Sequence, residues 1–552
     1  MSAETSDSST LSTQAAGGSP LTMDSLIAGR RRLSARYLHT IHADDLLTDS
    51  FTWIRRKRAL DRGLAEPTPE DAALVGRTAV ADPAVVDEAV REGRRAAKEW
   101  GAAPVATRKE FLDRARLSLQ AHREEIVRVL VAEGHPRRLA EWELDGVLKG
   151  ASSATERATD AMGSATHAVD GTTVSLRRRP AGLVGVVPAQ NAAASTSLLG
   201  LTALGAGNAV MVKPPRSGPL ATAWIWQELI HPQLEAVGAP LGTLSVVCAT
   251  PQIVLDRWLT PDGVDCLLFV GASSRGVKLG RRCMELGIRP VLELSGNDSL
   301  MVWHDADIPA AAAAAAECFM GSAQICMVPK RIVVHPTVAD AFLDALVREA
   351  RTFRPGLPSQ PDTMLSPVLQ SVTFREVLDE ALEAGAHRVA GGRTLDHTGV
   401  PDAAGAFIEP TIVRVDMSTG EAPRLRVLDE ETFFPLLPVL VWRDGPDKEV
   451  LREMTAYVDD GSHGLRNSLW TGSKAVADRW LATLRNGGIL KVNCSHVGFS
   501  EVLPTHGGTG LSGGAFGEAN YPALTTTRLQ AVQVDERHWT DQAAGPVRRR
   551  RK

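Results

Sequence analysis

Apolar residues recur at two different spacings along the chain. Between about residues 82 and 132, positions such as Val86, Ala89 and Val90 repeat every three to four residues, which predicts amphipathic helices. From residue 183 onward, short β-branched runs alternate with amphipathic segments. Strands are predicted at 183–187, 209–212, 243–247 and 266–269, and helices at 222–229 and 275–285. This alternation predicts βαβ units and a parallel sheet.

A second series of the same kind follows Leu300. An alanine-rich helix begins near Asp307, a good N-cap residue, with Pro309 in the first turn, where its missing N–H costs little. The other predicted elements are a strand at 331–335, a helix at 338–350, and strands at 438–442 and 489–492. The sequence therefore predicts an α/β fold with two parallel-sheet α/β domains and a ligand cleft between them.

Composition excludes several classes of partner. The chain has 552 residues, of which 44% are hydrophobic and 23% charged, and its formal net charge is −4. A charge this small gives no overall attraction to nucleic acid or to an anionic membrane. The strongly basic stretch at 548–552 is predicted to be a solvated tail. No apolar run reaches the roughly 20 residues of a membrane-spanning helix, so neither nucleic acid nor membrane is an expected partner.

The cysteines indicate a reducing compartment. Six of them are scattered without a Cys-x-x-Cys pair or a histidine at ligand spacing. This pattern argues against both a disulfide framework and a metal site, and it favours the cytoplasm. The first 25 residues are rich in Ser, Thr and Gly and lack the basic start and apolar core of a secretory signal. They are predicted to be disordered.

Two short segments carry candidate chemistry. Cys326 ends the string GSAQIC, and Glu293 begins the earlier string ELSG. Cysteine is a strong nucleophile near neutral pH, and a carboxylate can act as general base if the fold brings the two together. This pairing suits a mechanism with a covalent thioester, whereas an isolated cysteine and glutamate are more often a core residue and a surface residue.

Five strings together resemble motifs of the aldehyde dehydrogenase superfamily, in that family's order. They are GNAVMVKP at 207–214, FVGASSRG at 269–276, ELSG at 293–296, GSAQIC at 321–326 and EETFFP at 430–435. The resemblance runs from about residue 82 to residue 534. It implies NAD(P)-dependent oxidation of a small-molecule aldehyde to a carboxylic acid, with Cys326 as nucleophile, Glu293 as base, and a Rossmann-like cofactor domain beside a catalytic domain.

The resemblance also implies cofactor contacts. A strand that ends in a glycine turn and opens a helix presents backbone N–H groups and a positive helix end to a pyrophosphate. Lys213 is expected to reach ribose or phosphate oxygens, and Glu431 and Phe433 to lie at the nicotinamide ribose and ring. The full set of expected cofactor residues is Lys213, Arg216, Gly271, Ser273, Gly276, Glu431 and Phe433.

The sequence departs from the family pattern at several of these positions. The oxyanion amide is either Gln190 or Asn191; Asn191 is favoured for its shorter side chain, and the alternative is that both only cap the next helix. Ser295 and Phe434 add bulk where relatives have glycine, which predicts a reshaped nicotinamide pocket. Arg216 stands where many NAD-using relatives have a ribose-binding glutamate, so NADP is favoured over NAD unless Arg216 only faces solvent.

Two other functions remain open at this point. A CoA-acylating relative or acyl-thioester reductase is suggested by the spacing of Asn191, and a catalytically silent structural member is the alternative from another class. Glu293 argues against the first, because acylating relatives commonly lack this base, and retention of Cys326, Glu293, Lys213 and Glu431 argues against the second. The string GTGLSG at 508–513 matches a dinucleotide fingerprint but lacks its strand and βαβ context, so we predict that it is structural.

Composition and resemblance together divide the chain. The predicted parts are a disordered segment at 1–25, a cofactor-binding domain at 26–158 and 177–294, oligomerisation strands at 159–176 and 520–535, a catalytic domain at 295–519, and a tail at 536–552. The oligomerisation strands include a hairpin around the turn Asp170-Gly171. Because a lone hairpin is marginal in water, we expect it to find a partner surface in a homodimer or homotetramer.

Overall fold

The strands are defined in a computed structural model that describes residues 20–170, 172–417 and 422–535. In chain order they are β1 (Leu21–Met23), β2 (Ser25–Ile27), β3 (Arg30–Arg32), β4 (Tyr37–Ile41), β5 (Leu74–Ala79), β6 (Ala165–Val169), β7 (Thr172–Pro180), β8 (Leu183–Val187), β9 (Ala209–Val212), β10 (Leu244–Val246), β11 (Cys266–Val270), β12 (Arg289–Glu293), β13 (Asp298–Val302), β14 (Pro329–Val334), β15 (His387–Ala390), β16 (Thr394–Leu395), β17 (Phe407–Ile408), β18 (Thr411–Asp416), β19 (Leu436–Val441), β20 (His463–Gly464), β21 (Arg466–Trp470), β22 (Ile489–Val492), β23 (His506–Gly507), β24 (Thr509–Gly510), β25 (Ala519–Asn520) and β26 (Thr527–Val534).

The helices surround these strands. In chain order they are α1 (Ala43–Thr48), α2 (Ser50–Asp61), α3 (Pro83–Ala102), α4 (Val105–Ala121), α5 (Arg123–Ala132), α6 (Arg137–Gly150), α7 (Ser153–Gly163), α8 (Ala193–Ser197), α9 (Leu199–Gly205), α10 (Leu220–Trp224), α11 (His231–Ala236), α12 (Pro251–Trp258), α13 (Ser273–Glu285), α14 (Ile308–Ala316), α15 (Ala339–Ala350), α16 (Ser371–Glu383), α17 (Arg426–Asp429), α18 (Asp447–Asp459), α19 (Lys474–Thr483) and α20 (Pro522–Thr525). Among the helices of the described ranges, none has the length and apolar character that crossing a bilayer requires.

The first large sheet has the strand order β12-β11-β8-β9-β10-β2-β3. Its first five strands are parallel, and β2 and β3 extend it with antiparallel pairing. All residues of β9 and β11 are buried, as expected for parallel strands covered by helices on both faces. Alternate residues support two separate cores: Val184 and Val210 pack on one face of the sheet, and Leu183 and Met211 on the other.

The second large sheet has the order β15-β18-β19-β14-β13-β21-β22 and is parallel except for the edge strand β15. Leu300 and Ile332 face a core that includes α14 and α15, whereas Met301 and Val333 face a core that includes α16 and α18. The predicted α/β fold with two parallel sheets is therefore confirmed. So is the cap of α14, because the Asp307 carboxylate accepts a bond from the Ala310 N–H at 3.1 Å.

A third, antiparallel sheet joins the two predicted oligomerisation segments. Its order is β26-β7-β6, and β26 pairs with β7 over eight positions, from Thr527 opposite Pro180 to Val534 opposite Thr173. The predicted hairpin is present, with β7 continuing to Pro180, beyond the predicted end at 176. Most residues of β6 and β26 are exposed. The sheet therefore presents side chains that a second surface could cover.

The N-terminal prediction needs correction. Residues 1–19 lie outside the described residues, as does the predicted tail at 536–552. The prediction of disorder is wrong for residues 20–25, because β1 pairs with β5, with Leu21 opposite Gly76, and Met23 is buried. Burial of Leu26 in β2 anchors the same segment in the first sheet. The polar composition of the first residues hid this short apolar stretch.

Two predicted elements differ in detail. The predicted helix at 222–229 begins at Leu220 and passes into a π-helical turn at Ile225–Ile230. The glycine-rich string at 508–513 forms only the two-residue strand β24, which pairs with β20. Ser512 in this string donates from its hydroxyl to the Ser295 carbonyl at 2.6 Å, so the string supports the neighbouring ELSG segment, as the predicted structural role requires.

Candidate active site

Four strands of the first sheet end at one edge, each close to a residue with a predicted role. Asn191 follows β8, Lys213 follows β9, Gly271 follows β11, and Glu293 is the last residue of β12. Ligands of open parallel sheets bind outside the carboxyl ends of the strands. The topology of the first sheet therefore gathers these residues around one place.

The second sheet approaches the same place with the beginnings of two strands. Cys326 precedes β14, and Glu431 and Phe433 precede β19. A cavity of about 560 Å³ lies there, and its wall includes Asn191, Lys213, Gly271, Glu293, Cys326, Glu431 and Phe433. Seven of the ten predicted site residues thus share one cavity, while Arg216, Ser273 and Gly276 are not part of its wall.

The loop before Cys326 has an unusual backbone. Ser322 and Ala323 have φ values of 58° and 59°, a left-handed conformation that costs a side-chain-bearing residue roughly 1–3 kcal/mol. The loop is held by the segment at 364–367: the Ser322 hydroxyl donates to the Ser366 carbonyl at 2.6 Å and accepts from the Ser366 N–H at 2.9 Å. Lys330, which is buried, donates to the carbonyls of Ala323 and Thr432. Tertiary contacts therefore fix the backbone that presents the thiol.

Burial controls the protonation of the Cys326 thiol. Burial, and then the nearby carboxyl groups of Glu293 and Glu431, raises the pKa of this thiol well above its ordinary value, while Arg466 acts in the opposite direction. Because the thiolate is the nucleophilic form, the thiol must lose its proton to a base in the cavity before it can attack. Glu293 is a carboxyl group in the same wall that could accept this proton.

Glu293 is oriented by one strong hydrogen bond. The Gly507 N–H donates to its Oε2 at 2.6 Å, and its Oε1 is buried without a hydrogen-bond partner among the described residues. Burial raises the pKa of Glu293 to about 8, partly offset by the Gly507 N–H and by Arg466. A pKa near the working pH is what a general base requires. Gly507 itself has φ 105°, and a Cβ there would meet the Glu518 carbonyl at 2.1 Å, so glycine is needed at this position.

The two candidate oxyanion amides both line the cavity. The Asn191 amide donates to the Gln324 carbonyl at 2.7 Å, which places it against the nucleophile loop. The His135 Nε2 lies 3.1 Å from the Asn191 carbonyl and fixes its backbone. Neither Gln190 nor Asn191 caps the next helix, because the N-cap of α8 is Ala192 and no side chain bonds there. The alternative in which both act only as helix caps is therefore wrong.

The donor set at the strand ends fits a dinucleotide. Lys213 is buried, and burial lowers its pKa. Within the described ranges its Nζ bonds only to the Pro214 carbonyl, at 3.3 Å, which leaves it donors for a ligand oxygen. The amino end of α13 opens on the cavity at Ala272, next to Arg275, which also lines the wall. Glu431 accepts from the Gly296 N–H at 2.9 Å through one carboxylate oxygen.

Three predicted cofactor residues lie outside the cavity wall. The Ser273 hydroxyl donates to the Leu511 carbonyl at 2.7 Å, so it joins α13 to the glycine-rich string. A Cβ at Gly276 would lie 2.1 Å from a methyl carbon of Leu294, so this glycine permits close packing of α13 on the first sheet. Arg216 is exposed and lies close enough to Lys213 to lower its pKa.

The two bulky departures from the family pattern behave differently. Ser295 lines the cavity, and its hydroxyl accepts from the Ser273 N–H at 3.3 Å. Phe434 is buried in the core of the second sheet, edge-on to Phe374 with ring centroids 5.6 Å apart, and it is not in the cavity wall. The expectation that Phe434 reshapes the nicotinamide pocket is therefore wrong, because its ring turns into the core.

Sequence reasoning named the stretch from Cys494 to Phe499 as a plausible lining but missed Trp142, Glu143 and Arg275. Trp142 and Phe499 lie with ring centroids 4.9 Å apart, and Gly146 faces them: a Cβ there would lie 2.4 Å from a Phe499 ring carbon. Glu143 and Arg275 also line the cavity. Arg275 lies inside the FVGASSRG motif, so the sequence alone could have indicated it. Trp142 and Phe499 come from segments far apart in sequence, so no local pattern pairs them. The described residues contain no group of three or more His, Cys, Asp or Glu side chains suited to hold a metal ion.

Comparison with known proteins identifies the family. Residues 53–532 match the sequence model of the aldehyde dehydrogenase family. Benzaldehyde dehydrogenase YfmT of Bacillus subtilis is 30% identical over 384 residues, which cover 68% of this chain and 74% of that protein. Vanillin dehydrogenase of Corynebacterium glutamicum is 30% identical over 391 residues, covering 69% and 77%.

The fold agrees with solved structures. An NAD-dependent aldehyde dehydrogenase from Sinorhizobium meliloti superposes with a TM-score of 0.77 at 22% identity, covering 93% of this chain and 95% of that one. At 22% identity the structural similarity shows only that the fold is shared. The match to the family model over most of the chain indicates common descent and a shared reaction. The chain belongs to the aldehyde dehydrogenase family, and it is an NAD(P)-dependent oxidoreductase that oxidises an aldehyde to a carboxylic acid.

Proposed function

We propose that Cys326 is the nucleophile, Glu293 the general base and Asn191 the oxyanion amide of this oxidation. The observation that carries the proposal is that all three line one cavity between the two sheets, with the Asn191 amide 2.7 Å from the carbonyl of Gln324 in the nucleophile loop. Gly296 allows the ELSG segment and the nucleophile loop to lie against each other, since a Cβ at this position would meet the Cys326 carbonyl at 2.0 Å.

The reaction proceeds in two stages. In the first, Glu293 takes the thiol proton and the Cys326 sulfur attacks the aldehyde carbon, while the Cys326 N–H and the Asn191 amide hold the oxyanion that forms. The nicotinamide cofactor supplies the acceptor for the hydride that leaves this carbon. Glu293 then releases the thiol proton to solvent. In the second stage its carboxylate takes a proton from water, the water oxygen attacks the thioester carbon, and the C–S bond breaks to release the carboxylic acid. The proton on Glu293 passes to the Cys326 sulfur and restores the thiol.

NADP is the proposed cofactor in preference to NAD. Lys213 and Arg275 line the cofactor end of the cavity, and Arg216 lies close enough to Lys213 to lower its pKa. The acidic residues of the wall are Glu143, Glu293 and Glu431, none of which follows β9, where a ribose-binding glutamate would stand. A guanidinium can bind a 2′-phosphate but cannot accept a bond from ribose hydroxyls.

The substrate class that fits best is an apolar, aromatic aldehyde. Trp142 and Phe499 form an aromatic wall, and Ile325 and Met327 flank the thiol within the same cavity. An apolar wall with aromatic side chains favours a flat ring through offset or edge contacts. The names of the benzaldehyde and vanillin dehydrogenase relatives support the same choice.

We further propose a homodimer or homotetramer located in the cytoplasm. The β26-β7-β6 sheet supports assembly, since its exposed residues include the apolar Leu176 and Leu529. All six cysteines lie in described ranges and none forms a disulfide, which supports a reducing compartment.

Replacement of the nucleophile tests the proposal. Cys326→Ala should abolish NADPH appearance with benzaldehyde as substrate while leaving NADP binding intact, because only the attacking sulfur is lost. Cys494→Ala, an exposed cysteine outside the cavity wall, is the matched control and should keep wild-type turnover. Turnover by Cys326→Ala would refute the assignment. Dependence of wild-type turnover on added CoA would favour the acylating alternative.

A further inference from the structure

Arg466 is a buried cation behind the wall of the active site. It is the first residue of β21 and is 2% exposed. Its guanidinium donates to the His496 carbonyl at 3.2 Å and to the Thr505 carbonyl at 2.7 Å. The guanidinium carbon also lies 5.7 Å from the centre of the Phe499 ring. Thr505 and Phe499 line the cavity, whereas Arg466 itself does not.

The charge of Arg466 has no dedicated partner. Its guanidinium forms no ion pair with a carboxylate of the described residues, and both of its hydrogen bonds go to backbone carbonyls. A buried charge is costly unless other charges and hydrogen bonds compensate for it. The groups whose ionised forms favour the charged guanidinium are, in decreasing order, Asp298, Cys326, Glu293 and Glu317. Two of these four groups belong to the proposed catalytic machinery.

A short path joins Arg466 to the general base. The Thr505 carbonyl that it binds is two residues before Gly507, and the Gly507 N–H is the donor to Glu293 Oε2 at 2.6 Å. The intervening backbone is stiff, because Gly507 lies in β23, which pairs with β25. Movement of the 505–507 segment would therefore change the direction of the Glu293 carboxyl group.

We propose that Arg466 is a positioning residue for the general base: it orients Glu293 through the 505–507 segment and supplies the fixed positive charge that favours the carboxylate form. This inference rests on the proposed role of Glu293 as base. Arg466 touches neither the cavity nor the reacting atoms, so its effect belongs to thioester hydrolysis and thiol activation, and not to substrate binding.

The other charges near Glu293 do not replace Arg466. Asp298 at the start of β13 opposes the ionisation of Glu293. His496 and His506 are buried, and burial lowers the pKa of each to about 3, so both are neutral. Lys330 faces Glu431, Cys326 and Asp298. Behind Arg466, Glu317 and Lys491 hold the loop at 495–498 through backbone and hydroxyl groups. Arg466 is thus the cation that acts on Glu293 among the described residues.

The test separates hydride transfer from hydrolysis. Wild type, Arg466→Met and Arg466→Lys are assayed with benzaldehyde and NADP between pH 6 and 10, by the pre-steady-state burst of NADPH and by steady-state turnover. For Arg466→Met we expect the amplitude of the burst to remain, because the acyl-enzyme still accumulates before its slow hydrolysis. The steady-state rate should fall roughly tenfold, and the midpoint of the kcat–pH profile should rise by about one unit. KM for the aldehyde should change less than about twofold, because Arg466 is not in the wall. Arg466→Lys keeps the charge and should keep the wild-type midpoint with a partial fall in rate.

Arg331→Met is the matched control. Arg331 is also a buried arginine of the second sheet that donates to backbone carbonyls, those of Asn297 and Leu428, but it does not act on Glu293. The Arg331→Met substitution should lower the thermal stability of the protein without moving the midpoint of the kcat–pH profile. An equal shift in this control, an unmoved midpoint in Arg466→Met, or loss of the burst amplitude in Arg466→Met would overturn the proposal.

Two further outcomes are decided in advance. If Arg466→Met does not fold, Arg466→Lys decides: a steady-state rate that falls while the burst amplitude remains supports the proposal, and loss of the amplitude or an unchanged steady-state rate overturns it. If the wild type itself produces no NADPH with any aldehyde, the proposed function fails, and that failure is distinct from a normal wild type with insensitive Arg466 variants.

Discussion

Glu293→Gln should make the stability of the protein less dependent on pH. The folded protein holds the Glu293 proton more tightly than the unfolded chain does, because burial raises the pKa of this carboxyl group from 4.5 to about 8. The contribution of this group to stability is therefore complete below pH 4.5 and is lost as the pH rises through about 8. Each pKa unit is worth about 1.4 kcal/mol, so the full loss is at most about 5 kcal/mol.

The substitution removes the titration but keeps the local bond. The glutamine carbonyl can still accept from the Gly507 N–H, so the variant retains the contact that holds Glu293 at 2.6 Å. The difference in unfolding free energy, variant minus wild type, should therefore become more positive between pH 6 and pH 9 and level off above that range. Denaturant unfolding followed by tryptophan fluorescence at several pH values measures it.

Glu453→Gln is the control for this measurement. The Arg443 guanidinium holds the pKa of Glu453 below its ordinary value, so its contribution to stability is lost only as the pH falls below the ordinary carboxyl range. The difference between Glu453→Gln and wild type should thus be constant between pH 6 and pH 9. If the Glu293→Gln difference is equally constant, Glu293 is ionised throughout this range and the argument from its burial is refuted.

Three other predictions concern the cofactor, the substrate and assembly. Arg216→Glu should reverse the preference for NADP, by roughly ten- to a hundredfold in kcat/KM, because a charge-assisted bond of about 1.5–3 kcal/mol is replaced by repulsion; an unchanged ratio would show that Arg216 only faces solvent. Gly146→Ala should raise KM for aromatic aldehydes more than for acetaldehyde, because the new Cβ would lie 2.4 Å from the Phe499 ring; equal effects on both would contradict an aromatic site. Light scattering at micromolar concentration should give a dimer or tetramer, and a monomer would contradict the proposed role of the β26-β7-β6 sheet.

Seven of the fourteen strands of the two large sheets, β8 to β11, β14, β19 and β22, were predicted from the sequence because of how parallel sheets are buried. Helices cover both faces, so a strand such as β11 is a continuous apolar run with a turn signal at its end. The same rule places functional residues directly after strands, as with Lys213 and Gly271. Local pattern and site position therefore carry the same information in this fold, and that is why seven of the ten residues predicted from motifs line the cavity.

What the sequence could not provide is the direction of individual side chains. Phe434 and Phe433 are adjacent, yet one turns into the core and the other lines the cavity. Ser273 belongs to the recognised turn, but its hydroxyl is taken by the carbonyl of Leu511, a residue far away in sequence. Such outcomes depend on tertiary packing, which no local spacing encodes.

The same limitation explains why nothing in the sequence indicated that Arg466 is buried near the active site. An arginine at the start of a strand usually indicates a solvated end, and only the fold reveals that the carbonyls of His496 and Thr505 converge on it. Its charged form is favoured when nearby groups ionise, and two of these groups are Cys326 and Glu293. The stability of this buried cation and the ionisation of the catalytic groups are therefore linked: each favours the other, and a change in one must appear in the titration of the other.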